Sequence, residues 1–418
     1  MKNPLKPRIA HVRAGPRILR FVVAFVLPFM LATATEAGQL PRARDLGVPF
    51  EGTPGRWNAI TDVPGVEVGQ VTLIDGVGPL KVGHGPVRTG VTVVLPRGLG
   101  SDSPFSAGFF NLNGNGEMTA QSYLQDFGVA YGPIGITNTN AVGQVYAGIM
   151  QWTSRKFGSA IWPVVAETYD GGLNDIEGFH VRPEHAIQAI ESARSGPVEE
   201  GNVGGGTGMG CFGFKGGIGT SSRAIEIRGH AYVVGVLTQC NTGRRDVLRI
   251  AGVPVGRELA DAWLPCFDAS LAPSGKSPTC KADGSGGMHL PDQGSIIIVV
   301  GTDVPLSALQ LNRVARRAAL GLGRLGSFSG NQSGDIILSF STSRRANDPD
   351  NREPIIEEQI ANSDIDIVFE ATVQATEEAI TNALVAARTM TGADGFRLYE
   401  LPHAALTEIL RKYKRMAP

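Results

Sequence analysis

The pair Gly294-Ser295 is the feature of this sequence that most directly indicates a chemical reaction. Ser295 opens the run SIIIVV, and an apolar, β-branched run of this length predicts a buried strand. If the peptide bond before Ser295 breaks, this residue gains a free α-amine beside its own hydroxyl. One residue would then supply both a nucleophile and a general base. Glycine and serine before a strand are also typical of a plain turn, so the rest of the chain must decide between the two interpretations.

Three other segments place polar groups at the ends of apolar runs. Asn241 ends one run, Glu167 ends another, and Ser333 and Asp335 lead into a third. Sites often form where several strands end together. Each residue also has a structural interpretation: Asn241 could cap a turn, Glu167 could pair with an arginine, and Ser333 could be a turn serine.

The elements that would position these groups are strands mixed with helices, which predicts an α/β or α+β fold. Short strands are expected at 90–95, 231–237, 295–300 and 335–340. Helical periodicity covers 183–193, 304–320, 371–390 and 402–413. Asp303, before Val304-Pro305, is the expected N-cap of the second helix.

The first 37 residues have the pattern of a secretory signal peptide. Six lysines and arginines precede an apolar stretch at 21–31, which is too short to span a bilayer, and small-residue cleavage sites follow at Ala34 and Ala37. We therefore expect an exported protein, periplasmic or secreted, with no membrane span in the mature chain. Removing six basic residues and one acidic residue leaves 32 basic and 38 acidic residues, a net charge of −6. This charge argues against a nucleic-acid binder.

The four cysteines fall into two sequence contexts. Cys266 and Cys280 bracket a segment rich in Pro, Gly and Ser, and are the expected disulfide in an oxidising compartment. Cys211 and Cys240 lie in apolar, glycine-rich surroundings and are expected to be buried free thiols. No spacing of Cys and His matches a zinc site. The segment 266–293 is expected to be an exposed excursion that makes the Gly294–Ser295 bond accessible.

The ordered string of motifs resembles the L-aminopeptidase D-Ala-esterase/amidase family, which includes the β-peptidyl aminopeptidases. The resemblance covers nearly all of the mature chain. It is carried by 111–118 (NLNGNGEM), 137–140 (TNTN), 166–171 (AETYDG), 201–209 (GNVGGGTGM), 214–223 (FKGGIGTSSR), 253–256 (VPVG), 294–297 (GSII) and 333–336 (SGDI). The excursion at 266–293 is longer than the family pattern leads us to expect.

The resemblance implies an N-terminal nucleophile hydrolase with a four-layer α/β/β/α sandwich. Its precursor would cut itself before Ser295, so that 38–294 and 295–418 form one domain from two chains. The family's second serine and acid fall on Ser333 and Asp335, and its oxyanion asparagine falls on Asn241. The acid that holds the substrate amine falls on Glu167, and the residue that shapes the pocket falls on Tyr169.

The implied activity is that of a serine aminopeptidase acting on small N-terminal residues of peptides, amides or esters that carry a free amine. No cofactor or metal is implied, and the family implies a homo-oligomer of paired chains. Two alternatives stay open: an ornithine acetyltransferase-like acyl transferase, and a non-catalytic exported binding protein. Rival nucleophiles stand at Thr220, Ser221 and Ser222, although no strongly apolar run follows them directly. The preceding glycine-rich loop lacks the Gly-Lys-Ser/Thr ending of a phosphate-binding loop.

Overall fold

The computed structural model describes residues 40–343 and 358–417, so the predicted signal peptide lies outside the described residues. The strands, numbered in chain order, are β1 (Glu67–Asp75), β2 (Val87–Leu95), β3 (Phe105–Gly114), β4 (Val129–Ala130), β5 (Ile134–Asn138), β6 (Val164–Thr168), β7 (Gly210–Cys211), β8 (Phe214–Lys215), β9 (Gly217–Ile227), β10 (His230–Asn241), β11 (Cys266–Phe267), β12 (Gln293–Thr302), β13 (Gln332–Ser341), β14 (Met390–Thr391) and β15 (Phe396–Leu398). The helices are α1 (Gln121–Phe127), α2 (Val142–Phe157), α3 (Pro183–Glu191), α4 (Val255–Glu258), α5 (Ala308–Arg324), α6 (Asp366–Ala386) and α7 (His403–Lys412).

Two large sheets form the middle of the molecule. One has the strand order β1-β2-β5-β6, and the other has the order β4-β3-β13-β12-β10-β9. One hydrophobic cluster joins the facing sides of the sheets, a second packs the six-stranded sheet against α5, α6 and α7, and a third packs the four-stranded sheet against α2 and α3. The expected four-layer α/β/β/α sandwich is therefore confirmed.

Strand β12 is buried on both of its faces, which explains its continuous apolar sequence. Ile297 and Val299 face the other sheet, whereas Ile296, Ile298 and Val300 face the helical layer. The strand pairs with β10 antiparallel and with β13 in parallel. The nucleophile candidate, Ser295, thus lies near the start of a strand that is buried on both faces and paired on both edges.

The predicted strands fall within β2, β10, β12 and β13, and the predicted helices match α3, α5, α6 and α7 with shifted ends. The expected N-cap at Asp303 is wrong. Helix α5 begins one turn later, where Ser307 and Gln310 form a reciprocal capping box. Asp303 instead accepts a hydrogen bond from the Val233 amide at 2.7 Å, which fastens the strand end next to it.

The expected disulfide between Cys266 and Cys280 is present, but the prediction of free thiols at Cys211 and Cys240 is wrong. Those two cysteines are fully buried and bonded to each other. Gly216 allows the approach, because a Cβ there would lie 2.5 Å from the Cys211 Cβ. Among the described residues, no helix has the length and apolar character required to cross a membrane.

Candidate active site

The sheet register brings the predicted residues of three strands to one edge. Ser295 of β12 lies opposite Asn241 at the end of β10 and opposite Gly334 at the start of β13. Ser333 and Asp335 flank Gly334, so all these residues lie at the same end of the six-stranded sheet. Residues that are far apart in the chain become neighbours because neighbouring strands begin and end together.

The Gly294–Ser295 bond lies in a tightly packed backbone. Ser295 is 4% exposed, and its Oγ accepts a hydrogen bond from the Gly334 amide at 3.2 Å. Gly294 has a φ of 139°, and a Cβ at this position would lie 1.9 Å from the Asn241 carbonyl oxygen. Glycine is therefore required before Ser295 on both conformational and steric grounds.

Behind Ser295, a chain of hydroxyl groups leads to a buried carboxyl group. The Ser333 hydroxyl donates to Asp335 Oδ1 at 2.6 Å, and the Thr242 hydroxyl lies 3.1 Å from Ser333 Oγ. Since the Ser333 proton is directed to Asp335, Thr242 is the donor in the second contact. Burial raises the pKa of Asp335, while hydrogen bonds from Ser333 and Ser329 oppose the rise.

The Asn241 side chain is held at both ends of its amide. Its Oδ1 accepts from the Gly210 amide at 2.7 Å, and its Nδ2 donates to the Tyr169 carbonyl at 2.8 Å. An amide nitrogen carries two hydrogens, so one N–H remains for another acceptor beside Ser295. These contacts also fix which end of the amide is nitrogen, because a backbone N–H meets Oδ1.

Glu167 reaches the same edge from β6 of the other sheet. Glu167 is 3% exposed, and its carboxylate accepts from the Glu117 amide at 2.9 Å and from the Thr139 hydroxyl. Burial raises the pKa of Glu167, the two hydrogen bonds oppose the rise, and the Glu117 charge adds to it. A Cβ on Gly116 would lie 3.1 Å from Glu167 Oε1 and 3.2 Å from Gly334 Cα. The segment around Gly116 therefore packs against both Glu167 and the start of β13, where Gly334 pairs with Ser295.

A cavity of about 780 Å³ joins these groups. Ser295, Asn241 and Glu167 line it together with Tyr169, whose side chain is 54% exposed. The remaining wall includes apolar side chains, among them Leu173, Phe214, Leu290, Phe396 and Leu398. The excursion at 266–293 contributes to this wall through its last residues, and most of its side chains are exposed or half-buried, as expected.

The rival nucleophiles do not line this cavity. They lie buried within β9, where each hydroxyl makes a structural hydrogen bond: Thr220 to the Val236 carbonyl, Ser221 to the Ala375 carbonyl, and Ser222 to the Asp62 carboxylate, at 2.6–2.7 Å.

Sequence reasoning missed three groups at this edge: Thr242, Thr139 and Gly210. Thr242 directly follows Asn241, and Thr139 lies in the TNTN motif, so the sequence indicated both positions but not what their hydroxyl groups contact. Gly210 acts through its backbone amide, which no sequence pattern reveals.

Comparison with known proteins agrees with this geometry. The family model of peptidase family S58 matches residues 58–398. Beta-peptidyl aminopeptidase BapA of Sphingosinicella microcystinivorans is 52% identical over 94% of this chain and 97% of its own, and that of Sphingosinicella xenopeptidilytica is 47% identical over 91% and 93%. The L-aminopeptidase D-Ala-esterase/amidase of Ochrobactrum anthropi, described as a prototype of the serine aminopeptidases and a variant of the Ntn hydrolase fold, has a TM-score of 0.80 and 41% identity over 90% of this chain and 100% of its own. A Burkholderia sp. beta-aminopeptidase has a TM-score of 0.76 and 40% identity over 89% and 99%. The chain therefore belongs to peptidase family S58 and is a serine aminopeptidase.

Proposed function

We propose that this aminopeptidase matures by cleaving its own Gly294–Ser295 bond and then uses Ser295 to remove small N-terminal residues from peptides, amides or esters. The observation that carries the proposal is the convergence of Ser295, Asn241 and buried Glu167 on one cavity. This arrangement provides a nucleophile, an oxyanion donor and an anionic contact for an amine.

Maturation begins when Ser295 Oγ attacks the Gly294 carbonyl carbon. The tetrahedral intermediate collapses by breaking the C–N bond, its nitrogen takes up a proton, and Gly294 becomes an ester on Ser295. Water then hydrolyses the ester, which frees the Gly294 carboxylate and restores the Ser295 hydroxyl. The positive φ of Gly294 and the missing side chain leave its carbonyl open to this attack.

The new α-amine of Ser295 acts as the base in substrate hydrolysis. Its reference pKa of about 7.7–8.0 suits proton transfer near neutral pH. The amine takes the proton of Ser295 Oγ during attack on the substrate carbonyl and passes it to the leaving amine. Asn241 Nδ2 donates its free N–H to the oxyanion, a contact typically worth about 3–4 kcal/mol. Ser333, fixed by Asp335, orients the α-amine.

Glu167 selects substrates with a free N-terminus, because a buried carboxylate that lines the cavity favours a cationic partner. Tyr169 limits the depth of the pocket and favours small first residues. The names of two close relatives and of one structural neighbour support β-amino acids as a substrate class. A β-residue has one more backbone carbon between its amine and its carbonyl than an α-residue. The name of another neighbour supports L-amino acids and D-alanyl esters or amides.

N-terminal sequencing of the purified protein tests the maturation step. We expect two chains on a denaturing gel, the smaller beginning at Ser295, and a single uncut, inactive chain for Ser295→Ala. A new terminus at Thr220, Ser221 or Ser222 would contradict the assignment of the nucleophile.

Matched amides with free and N-acetylated termini test the substrate class. The unmutated enzyme should cleave the free β-alanyl and L-alanyl amides and leave the acetylated ones intact. Glu167→Gln keeps the shape of the side chain and removes its charge, so it should weaken this discrimination. Equal kcat/KM for free and acetylated substrates in the unmutated enzyme would point to a general amidase or an acyl transferase.

We also propose that the protein is exported and that paired chains assemble into a homo-oligomer. Two disulfides support export, because disulfides persist in oxidising compartments. Exposed apolar side chains around β1 and the segment after it, including Ile74, Val77 and Val82, are suitable for subunit contact. Cell fractionation and sedimentation analysis of the mature protein test these two proposals.

A further inference from the structure

Lys215 is a buried cation that none of the proposed chemical steps uses. Its side chain is fully buried, and its Nζ donates to the carbonyl oxygens of Gly206, Met209 and Gly216 at 3.3, 2.7 and 2.8 Å. An ammonium group has three N–H donors, so the site matches the protonated form donor for donor. Burial lowers the pKa of Lys215 to about 7, and the charge of Asp170 opposes this shift.

The carbonyl at 2.7 Å from Lys215 belongs to the peptide unit that holds Asn241. This unit joins Met209 to Gly210: its carbonyl oxygen accepts from Lys215 Nζ, and its N–H donates to Asn241 Oδ1 at 2.7 Å. The Gly216 amide also donates to the Met209 carbonyl at 2.9 Å. Two donors therefore fix the orientation of this peptide plane. A cation at the carbonyl end also polarises the N–H at the other end, which strengthens the contact with Asn241.

The nitrogen end of the Asn241 amide is held by the residue that precedes Asp170, a buried acid close to Lys215. Asn241 Nδ2 donates to the carbonyl of Tyr169, and the next residue, Asp170, is fully buried and accepts from Asn174 at 3.0 Å. Asp170 is the acidic group whose charge acts on Lys215. The backbone packs closely here, since a Cβ on Gly208 would lie 2.8 Å from the Asp170 Cβ.

We propose that Lys215 is a positioning residue for the oxyanion site: it holds the Met209–Gly210 peptide so that Asn241 presents its free N–H to the reacting carbonyl. The inference rests on the proposed role of Asn241. Lys215 itself does not line the cavity, so it should not contact the substrate. Its effect should therefore appear in turnover, where the oxyanion forms, and leave substrate binding largely unchanged.

The test compares Lys215→Met, which removes all donors, with Lys215→Gln, which keeps an uncharged N–H donor and guards against failure of the first variant to fold. The matched control is Arg223→Gln. Arg223 is also a buried cation bonded to backbone carbonyls, of Glu51, Ser222 and Gln374, and in addition it pairs with the buried Glu378 carboxylate at 2.8 Å; it lies away from the cavity lining. With free-amine alanyl amides and kcat counted per cleaved chain, Lys215→Met should lower kcat about 10-fold and change KM less than about 2-fold. Lys215→Gln should lose less, and the control should keep its kcat within about 2-fold.

Crystal structures of Ser295→Ala and Ser295→Ala/Lys215→Met precursors provide a readout that does not depend on activity. We expect the contact between the Gly210 amide and Asn241 Oδ1 to open in the second protein. An unmoved Asn241 amide, or a loss of kcat no larger than in the control, would overturn the inference. A displaced amide with unchanged kcat would show that Lys215 orients a side chain that is not the oxyanion donor, which would refute the role of Asn241 and overturn the inference with it. If the unmutated enzyme cleaves no free-amine substrate, the proposed function fails and the crystal structures alone decide the role of Lys215.

Discussion

Removing the Cys211–Cys240 disulfide should lower both stability and turnover, whereas removing Cys266–Cys280 should lower stability alone. The first disulfide closes a loop with a sequence separation of 29 residues, and the second closes one of 14. Loop-closure entropy assigns about 3.6 kcal/mol to the first and about 3 kcal/mol to the second. Because Cys211 and Cys240 are fully buried, alanine at both positions should lose roughly a further 1–2 kcal/mol of packing.

The effect on turnover follows from what each disulfide adjoins. Cys211 directly follows Gly210, and Cys240 directly precedes Asn241, so this disulfide joins the two strands next to the hydrogen bond that orients Asn241, the proposed oxyanion donor. Complete loss of an oxyanion donor lowers kcat about 10²–10³-fold. A loosened donor should lose part of this, about 10-fold. Cys266 and Cys280 do not line the cavity, and their loss should leave kcat within about 2-fold.

The assay has two arms. Guanidinium unfolding of the two double-alanine variants, each in the uncut Ser295→Ala background, measures stability in a single covalent chain and avoids separation of the two cleavage products. Kinetics on the two variants with Ser295 intact measures kcat and KM for a free-amine alanyl amide. Equal kcat values for the two variants would refute the link between the buried disulfide and Asn241. A larger loss of stability for Cys266/Cys280 would refute the ranking by loop length and burial.

Further predictions concern individual side chains of the cavity. Asn241→Ala should lower kcat about 10²–10³-fold with a smaller change in KM, and a near-normal kcat in fully cleaved protein would remove Asn241 from the site. Tyr169→Leu should shift the preference toward longer or bulkier first residues, as measured by kcat/KM on an alanine-to-leucine series of amides. Burial raises the pKa of Glu167, so its carboxylate becomes neutral at a higher pH than an exposed glutamate; KM for free-amine substrates should rise as the pH falls through this range. Glu167→Gln should remove this pH dependence, and a KM profile unchanged by that substitution would assign it to another group.

The sequence located the strands of the site because buried strands leave a local signature. The run at 295–300 is apolar at every position, and the structure shows the reason: its side chains enter the core on both faces of the sheet. The polar groups at the ends of such runs could be found in the same way. What the sequence could not show from its own pattern is that Asn241 and Ser295 lie opposite each other, since their register depends on how distant strands pair.

The errors and omissions have the same non-local origin. Cys211 and Cys240 lie in apolar surroundings that fit a buried thiol as well as a buried disulfide, and only the approach of β7 to β10 distinguishes the two. Gly210 contributes a backbone amide, and Lys215 acts through a backbone carbonyl, so neither function is encoded by a side-chain motif. The N-cap error at Asp303 arose because two suitable N-cap residues, Asp303 and Ser307, lie four residues apart. Asp303 accepts a hydrogen bond from the Val233 amide instead, and Ser307 caps the helix.

Cleavage before Ser295 should leave two chains that no covalent bond joins. All four cysteines precede Ser295 and pair among themselves, so neither disulfide reaches the chain 295–418. That chain is held by its position in the sheet, because β12 lies between β10 and β13, and β13 in turn pairs with β3 of the larger chain. Mature protein should therefore migrate as one species in gel filtration, yet separate on a denaturing gel into chains of about 257 and 124 residues, as their boundaries require, without any reductant. A single band that only a reductant resolves would mean that a disulfide links chains in a way the observed pairing forbids.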